Sequence, residues 1–168
     1  MEISAQSLIH HFKLLTHPEG GFYSETYRSP EIIPPQALPE RFKGGRHFST
    51  AIYFLIPKGN FSAFHKIESD ELWHFYAGGS LWVHVIHPNG EYELIKLGNK
   101  ISQGECFQAT VPAGAWFASE PAPEVDFSFV GCTVAPGFDF ADFILAQSAV
   151  LLSLFPQHEI LIRRLCRQ

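Results

Sequence analysis

In the stretch GNFSAFHKIESDELWHFYAG, residues 59 to 78, an imidazole and a carboxyl flank a short polar turn. Successive strand side chains alternate between faces, so Phe61, Ala63, His65 and Ile67 share one face of a first strand. Glu71, Trp73 and Phe75 share one face of the next. His65 and Glu71 are therefore expected to converge inside a β-structure. Glutamate is seldom buried unless paired, and an imidazole beside a carboxyl in an apolar, aromatic setting shifts both pKa values. Such a pair suits proton transfer or ligand anchoring, with neutral His65 as the base and Glu71 orienting it. The bland alternative is a satisfied core histidine beside a glutamate on a hairpin rim.

Other residues could complete a site. Arg28 carries a planar fork that matches a carboxylate or phosphate, although a strand-end arginine is as often simply exposed. Trp73, Trp116 and Phe117 could wall a pocket or stack on a ring, against the plainer role of filling a core. His74 falls on the opposite face from Glu71, the face of His84 is unassigned, and His17 and His47 are expected in solvated loops. Asp139 and Asp142 are read as capping the N-terminus of a helix and stay outside the site.

These side chains need strands to hold them. Runs at 22–27, 50–56, 61–67, 71–75, 81–86, 92–97, 106–111, 116–118 and 127–134 have strand character. The hairpin joining 81–86 to 92–97 turns at Pro88-Asn89-Gly90, where Asn-Gly supplies positive φ angles. Ser4 caps a short helix whose apolar face is Leu8, Ile9, Phe12 and Leu15, and His17-Pro-Glu-Gly-Gly ends it. Pro30 to Pro39 reads as a surface loop. A helix is expected from Asp139 to Pro156, and a shorter one from Glu159 to Leu165. The result is an all-β fold: one antiparallel barrel or sandwich with a short N-terminal helix and C-terminal helices. One domain over 1–168 is expected, with the barrel at about 20–135 and the helical segment at about 139–166.

Composition narrows the function. The 168 residues carry 12 Lys and Arg against 17 Asp and Glu, a net charge of −5, so no cationic field draws in nucleic acid or an anionic membrane. No apolar run approaches the ~18 to 20 residues of a membrane helix, and the N-terminus lacks the basic region of a signal peptide. The mature chain is expected to start at Met1. Cys106, Cys132 and Cys166, odd in number and far apart, fit reduced thiols and a cytoplasmic location. Strands such as Tyr53-Phe-Leu and Leu81-Trp-Val are apolar on both faces, which points to a homodimer.

Gly59, His65, Glu71 and Gly78 keep the register of the first cupin motif, G-x5-H-x-H-x3,4-E-x6-G, with Ile67 replacing its second histidine. In the second motif the histidine position is Phe117. The blocks HPEGGFYSETYRS (17–29), SDELWHFYAG (69–78), VPAGAW (111–116) and GCTVAPGFDFADF (131–143) resemble the cupin_5 family of small uncharacterised cupins in the RmlC-like superfamily. The resemblance implies a single jelly-roll barrel and a homodimer, without fixing an activity. The epimerases of that superfamily pair a histidine base with a tyrosine acid; here His65 matches the base, and Tyr53, Tyr23 and Tyr76 are candidates for the acid.

With two of four metal ligands replaced, no cofactor is expected; any ion would rest on His65 and Glu71. The function expected is binding of a small sugar- or nucleotide-like metabolite in the lumen, with metal-independent isomerase or epimerase chemistry. The alternatives are a non-catalytic binding or storage-like cupin and a metal-dependent cupin enzyme.

Overall fold

The computed structural model describes residues 3–167, so the expected start at Met1 lies outside it. In chain order the elements are α1 Ala5–Phe12, β1 Leu15–Thr16, β2 Phe22–Arg28, β3 Ile32–Ile33, β4 Arg46–His47, β5 Thr50–Pro57, β6 Ser62–Lys66 and β7 Asp70–Gly78. They continue with β8 Leu81–Ile86, β9 Tyr92–Leu97, β10 Gln108–Val111, β11 Trp116–Pro121, β12 Phe127–Ala135, β13 Ile144–Leu145, α2 Ser148–Leu154 and α3 Glu159–Leu165. One sheet runs β1-β2-β5-β12-β7-β10 and the other β13-β6-β11-β8-β9, with β3 and β4 paired apart. Every strand pairing is antiparallel.

Three apolar layers follow from strand alternation. Phe54, Ile67, Trp73, Val85 and Phe117 meet between the sheets. The outer face of the five-stranded sheet, at Phe64, Ile86 and Ala118, is covered by Leu151, Ile162 and Leu165 of the C-terminal helices. The outer face of the other sheet, at Leu55 and Phe129, is covered by Leu8 and Leu14. Each such buried leucine contributes roughly 1.5–3 kcal/mol. The second apolar face of β5, which suggested a partner subunit, is thus covered by the chain's own α1.

Helix α1 begins as its sequence indicates. The Ser4 side chain accepts from the Ser7 amide, and the Ser7 side chain accepts in return from the Ser4 amide. The β8–β9 hairpin pairs Leu81 with Leu97 and Ile86 with Tyr92, as expected. Its loop is longer than a two-residue turn: Gly90 N–H donates to the His87 carbonyl at 2.8 Å, and Gly90 rather than Asn89 takes the positive φ, at 87°.

The segment after Asp139 departs from the expected long helix. It forms a one-turn 3-10 helix, Phe140–Asp142, and then β13, which pairs with Lys66 and His65; helix begins only at Ser148. Two attachments override the helical periodicity. Asp142 is bound by Arg46, and the Ala146 amide donates to the Phe64 carbonyl at 2.8 Å.

Candidate active site in the barrel lumen

A cavity of about 630 Å³ opens between the sheets. His65 and Glu71 both line it, as their strand parity requires. Two sequence features fix His65. It pairs opposite Phe117 across β6 and β11, and its ring packs 4.1 Å from the Phe117 ring and 5.3 Å from that of Phe143. Its Nδ1 lies 2.7 Å from the Ala63 carbonyl. A carbonyl only accepts, so Nδ1 carries the ring proton and Nε2 of the neutral ring presents a lone pair.

That lone pair faces Glu19, not Glu71: His65 Nε2 lies 3.2 Å from Glu19 Oε2. His17 Nδ1 approaches the same oxygen at 3.3 Å while accepting the Glu19 backbone N–H at 3.3 Å. The other carboxyl oxygen accepts from Ser62 Oγ at 2.8 Å. One carboxyl oxygen between two imidazole acceptors needs a proton. Burial supplies the bias, pushing Glu19 up and both His17 and His65, the latter to about 4, down. While Glu19 keeps this proton, the unit is a neutral glutamic acid donating to neutral His65.

The sequence reading missed Glu19 and placed His17 in a solvated loop, whereas the His17 side chain is 7% exposed. The loop folds inward because Gly20 and Gly21 follow, with φ of 114° and 74°. A Cβ on Gly20 would lie 2.1 Å from the Phe61 carbonyl oxygen. The Glu19 carbonyl is then anchored by the Ala63 amide at 2.8 Å and Arg167 Nε at 3.0 Å. The Pro-Glu-Gly-Gly run was the available signal: a carboxyl before two glycines where backbone must pass close to backbone.

Glu71 sits beside the Cys132 thiol, and burial above all, with repulsion from Glu19 once that carboxyl ionises, pushes its carboxyl up to about 8. It is a proton donor at neutral pH. Tyr23 and Arg28 also line the cavity. Tyr53 does not: odd positions of β5 face α1, and its ring packs on Phe12 at 4.6 Å and Phe129 at 5.3 Å. Tyr76 joins the same outer cluster, 5.9 Å from Tyr53.

Trp73 and Phe117 are each 1% exposed and fill the core behind the floor, and the Trp73 indole N–H has no partner among the described residues. Trp116 points outward under the C-terminal helices, with Lys66 Nζ 5.2 Å from its ring. Phe138, Phe140 and Phe143 supply the apolar wall instead. Asp139 caps the 3-10 turn by accepting the Ala141 amide at 2.8 Å, and it also lines the cavity, so it belongs to the site from which the sequence reading left it out.

These two buried groups make a pH prediction. Folding raises Glu71 from an ordinary 4.5 to about 8, so its stabilisation is full below pH 4.5 and is lost as pH rises through 8. Folding lowers His65 from 6.5 to about 4, so its stabilisation is full above pH 6.5 and is lost as pH falls through 4. The slopes of these two oppose each other between 4.5 and 6.5; above 6.5 that of Glu71 remains, with that of Glu19, which folding also raises, alongside it. The melting temperature is expected to fall from pH 6.5 to 8 in the parent protein and to fall less steeply in Glu71→Gln, where the raised Glu19 carboxyl still contributes. An equal fall in both would contradict the assignment.

The family model described as Cupin superfamily (DUF985) matches residues 6–146. The chain belongs to this cupin family. An uncharacterised protein of Saccharomyces cerevisiae is 32% identical over 148 residues, 83% of this cupin and 73% of the yeast chain. A hypothetical protein from Leishmania major superposes with a TM-score of 0.91 at 35% identity, covering 99% of this cupin and all of the other chain. A Shewanella oneidensis protein does so at 0.89 and 38%, covering 99% of each. Oxalate decarboxylase of Bacillus subtilis shares the fold alone, with a TM-score of 0.54 and 14% identity over 89% of this cupin and 36% of that enzyme. Among the described residues, no helix is long and apolar enough to cross a membrane.

The donor set does not match a cupin metal centre. Ile67 and Phe117 present hydrocarbon where the motifs place histidine, His65 Nε2 is directed at Glu19, and no three His, Cys, Asp or Glu among the described residues are grouped to hold an ion.

Proposed function

We propose that this cupin binds a small polar metabolite in its lumen and moves a proton on it without a metal, as an isomerase or epimerase does. The observation that supports this is the Glu19 carboxyl held between His65 and His17, with a second, protonated carboxyl at Glu71 in the same cavity. In the proposed step, a Glu19 oxygen takes the proton from a ligand carbon next to a carbonyl. The Glu19 proton passes to His65 Nε2 as that happens. The C–H electron pair stays on the ligand as an enolate, and Glu71 returns a proton to carbon. Proton transfer from the His65–Glu19 pair through water then resets Glu71. Placed acid and base groups of this kind contribute about 10²–10⁴-fold each.

One observation favours a purely binding role: both ring nitrogens of His65 are already engaged, so a ligand reaches its basicity only through Glu19. Solvent exchange separates the readings. Chelator-dialysed protein, verified metal-free by elemental analysis, is incubated in D2O with a panel of hydroxy-carbonyl compounds. Deuterium at the carbon beside the carbonyl of a bound compound is expected. Binding without exchange would support the non-catalytic reading, and exchange only after a divalent ion is restored would support a metalloenzyme.

A further inference from the structure

Among the described residues, Arg28 is the only arginine or lysine lining the cavity, and the sequence reading gave it to an anionic ligand group. Its fork is already taken. Nε donates to Glu25 Oε1 at 3.1 Å, Nη2 to Glu25 Oε2 at 2.7 Å and Nη1 to the Phe138 carbonyl at 3.3 Å. Asp139, also on the lining, adds a second carboxylate beside it. Arg28 against Glu25 and Asp139 leaves this part of the lining one charge negative. The deeper groups do not reverse the sign: Glu19 and Glu71 are neutral when protonated and repel anions when not.

We infer that the lumen takes an uncharged ring compound bearing hydroxyl groups and rejects its phosphorylated or carboxylated counterparts, with the Glu25–Arg28 pair as the specificity determinant. The inference rests on the lumen being the ligand site. A cation is disfavoured as well, because entering would strip its water against a wall of Phe138, Phe140 and Phe143 whose rings pack edge-on to one another at 5.0–6.3 Å, which leaves a wall and not an enclosing cage. The polar end of a neutral ring can instead meet the Glu71 carboxyl and Tyr23 while its apolar face lies on that wall. A volume of about 630 Å³ suits one such molecule.

The test is calorimetric titration with three matched probes: phenyl glucoside, its 6-phosphate and its 6-amino-6-deoxy analogue. Parent protein is expected to bind the neutral probe at least about ten-fold more tightly than either charged one, the scale of one lost charged hydrogen bond. Glu25→Gln, a change at a half-exposed side chain, frees Arg28 and is expected to tighten the phosphate probe about ten-fold and to make inorganic phosphate a thermal stabiliser, which it is not for the parent.

Tightest parent binding of the phosphate or amine probe, or a Glu25→Gln variant no better for phosphate, would overturn the inference while leaving the lumen a ligand site. Silence from all three probes in both proteins would overturn the inference and remove support for the lumen as a site of this size.

Discussion

Asp142→Ala is expected to cost about 3–5 kcal/mol, the largest effect of any single charge removal in this chain, because it strands a buried guanidinium. Arg46 and Asp142 are 4% and 5% exposed and meet through two hydrogen bonds of 2.6 and 2.5 Å, while Arg46 Nη1 donates to the Gly45 carbonyl at 2.8 Å. For a chain of this size the loss translates to a fall in melting temperature of roughly 6–20 °C. The same pair ties β4 to the turn that carries Phe140 and Phe143 into the cavity wall, so ligand binding should weaken with it. The double change Arg46→Met with Asp142→Leu removes both charges and should recover most of the stability, since a buried pair gains little over hydrocarbon of similar volume. Calorimetric or chemical melts decide this. A single variant within about 1 kcal/mol of the parent would show that the pair is hydrated and incidental.

Glu19→Gln should separate chemistry from folding. The amide keeps the carboxyl's shape: its oxygen can accept from Ser62 Oγ, and its N–H can donate to His65 Nε2. Stability is therefore expected to stay within about 1 kcal/mol of the parent. Proton exchange on a bound ligand should fall by about 10²–10⁴-fold with little change in binding, because the amide cannot pass a proton. His65→Ala should lose as much exchange and also lose about 2–3 kcal/mol of stability. From sequence alone this variant is expected to leave the melting temperature nearly unchanged. Burial to 3%, two hydrogen bonds and packing against Phe117 and Phe143 reverse that expectation. A Glu19→Gln protein that exchanges ligand protons at the parent rate would remove Glu19 from the chemistry.

The contrast between these residues marks what was legible. Period-two alternation placed His65 and Glu71 in one lumen, and cupin motif spacing agreed, because each sits in regular strand where parity fixes direction. The same rule, applied through β5, would have sent Tyr53 outward beside Leu55, and it was the acid role borrowed from related epimerases that drew Tyr53 inward. Glu19, His17 and Asp139 lie outside strands of regular alternation, where direction depends on glycine conformations and on contacts distant in sequence. The Arg46–Asp142 pair spans 96 positions. Nothing in the periodicity of Phe140, Phe143 and Ile144 separates a helix face from a cavity wall, since the competing attachments come from β4 and β6.

The central claim is that His65 is a neutral Nδ1–H imidazole whose Nε2 accepts the proton of Glu19. Two-dimensional ¹⁵N–¹H correlation of the imidazole nitrogens, recorded from pH 4 to 8 on the metal-free protein, reads that state directly. The expected spectrum gives His65 a protonated Nδ1 and an unprotonated Nε2 throughout pH 5–8, with protonation only as the pH approaches about 4. An imidazolium at neutral pH, or an Nε2–H tautomer, would mean that Glu19 is an ordinary carboxylate counter-ion and would contradict the account.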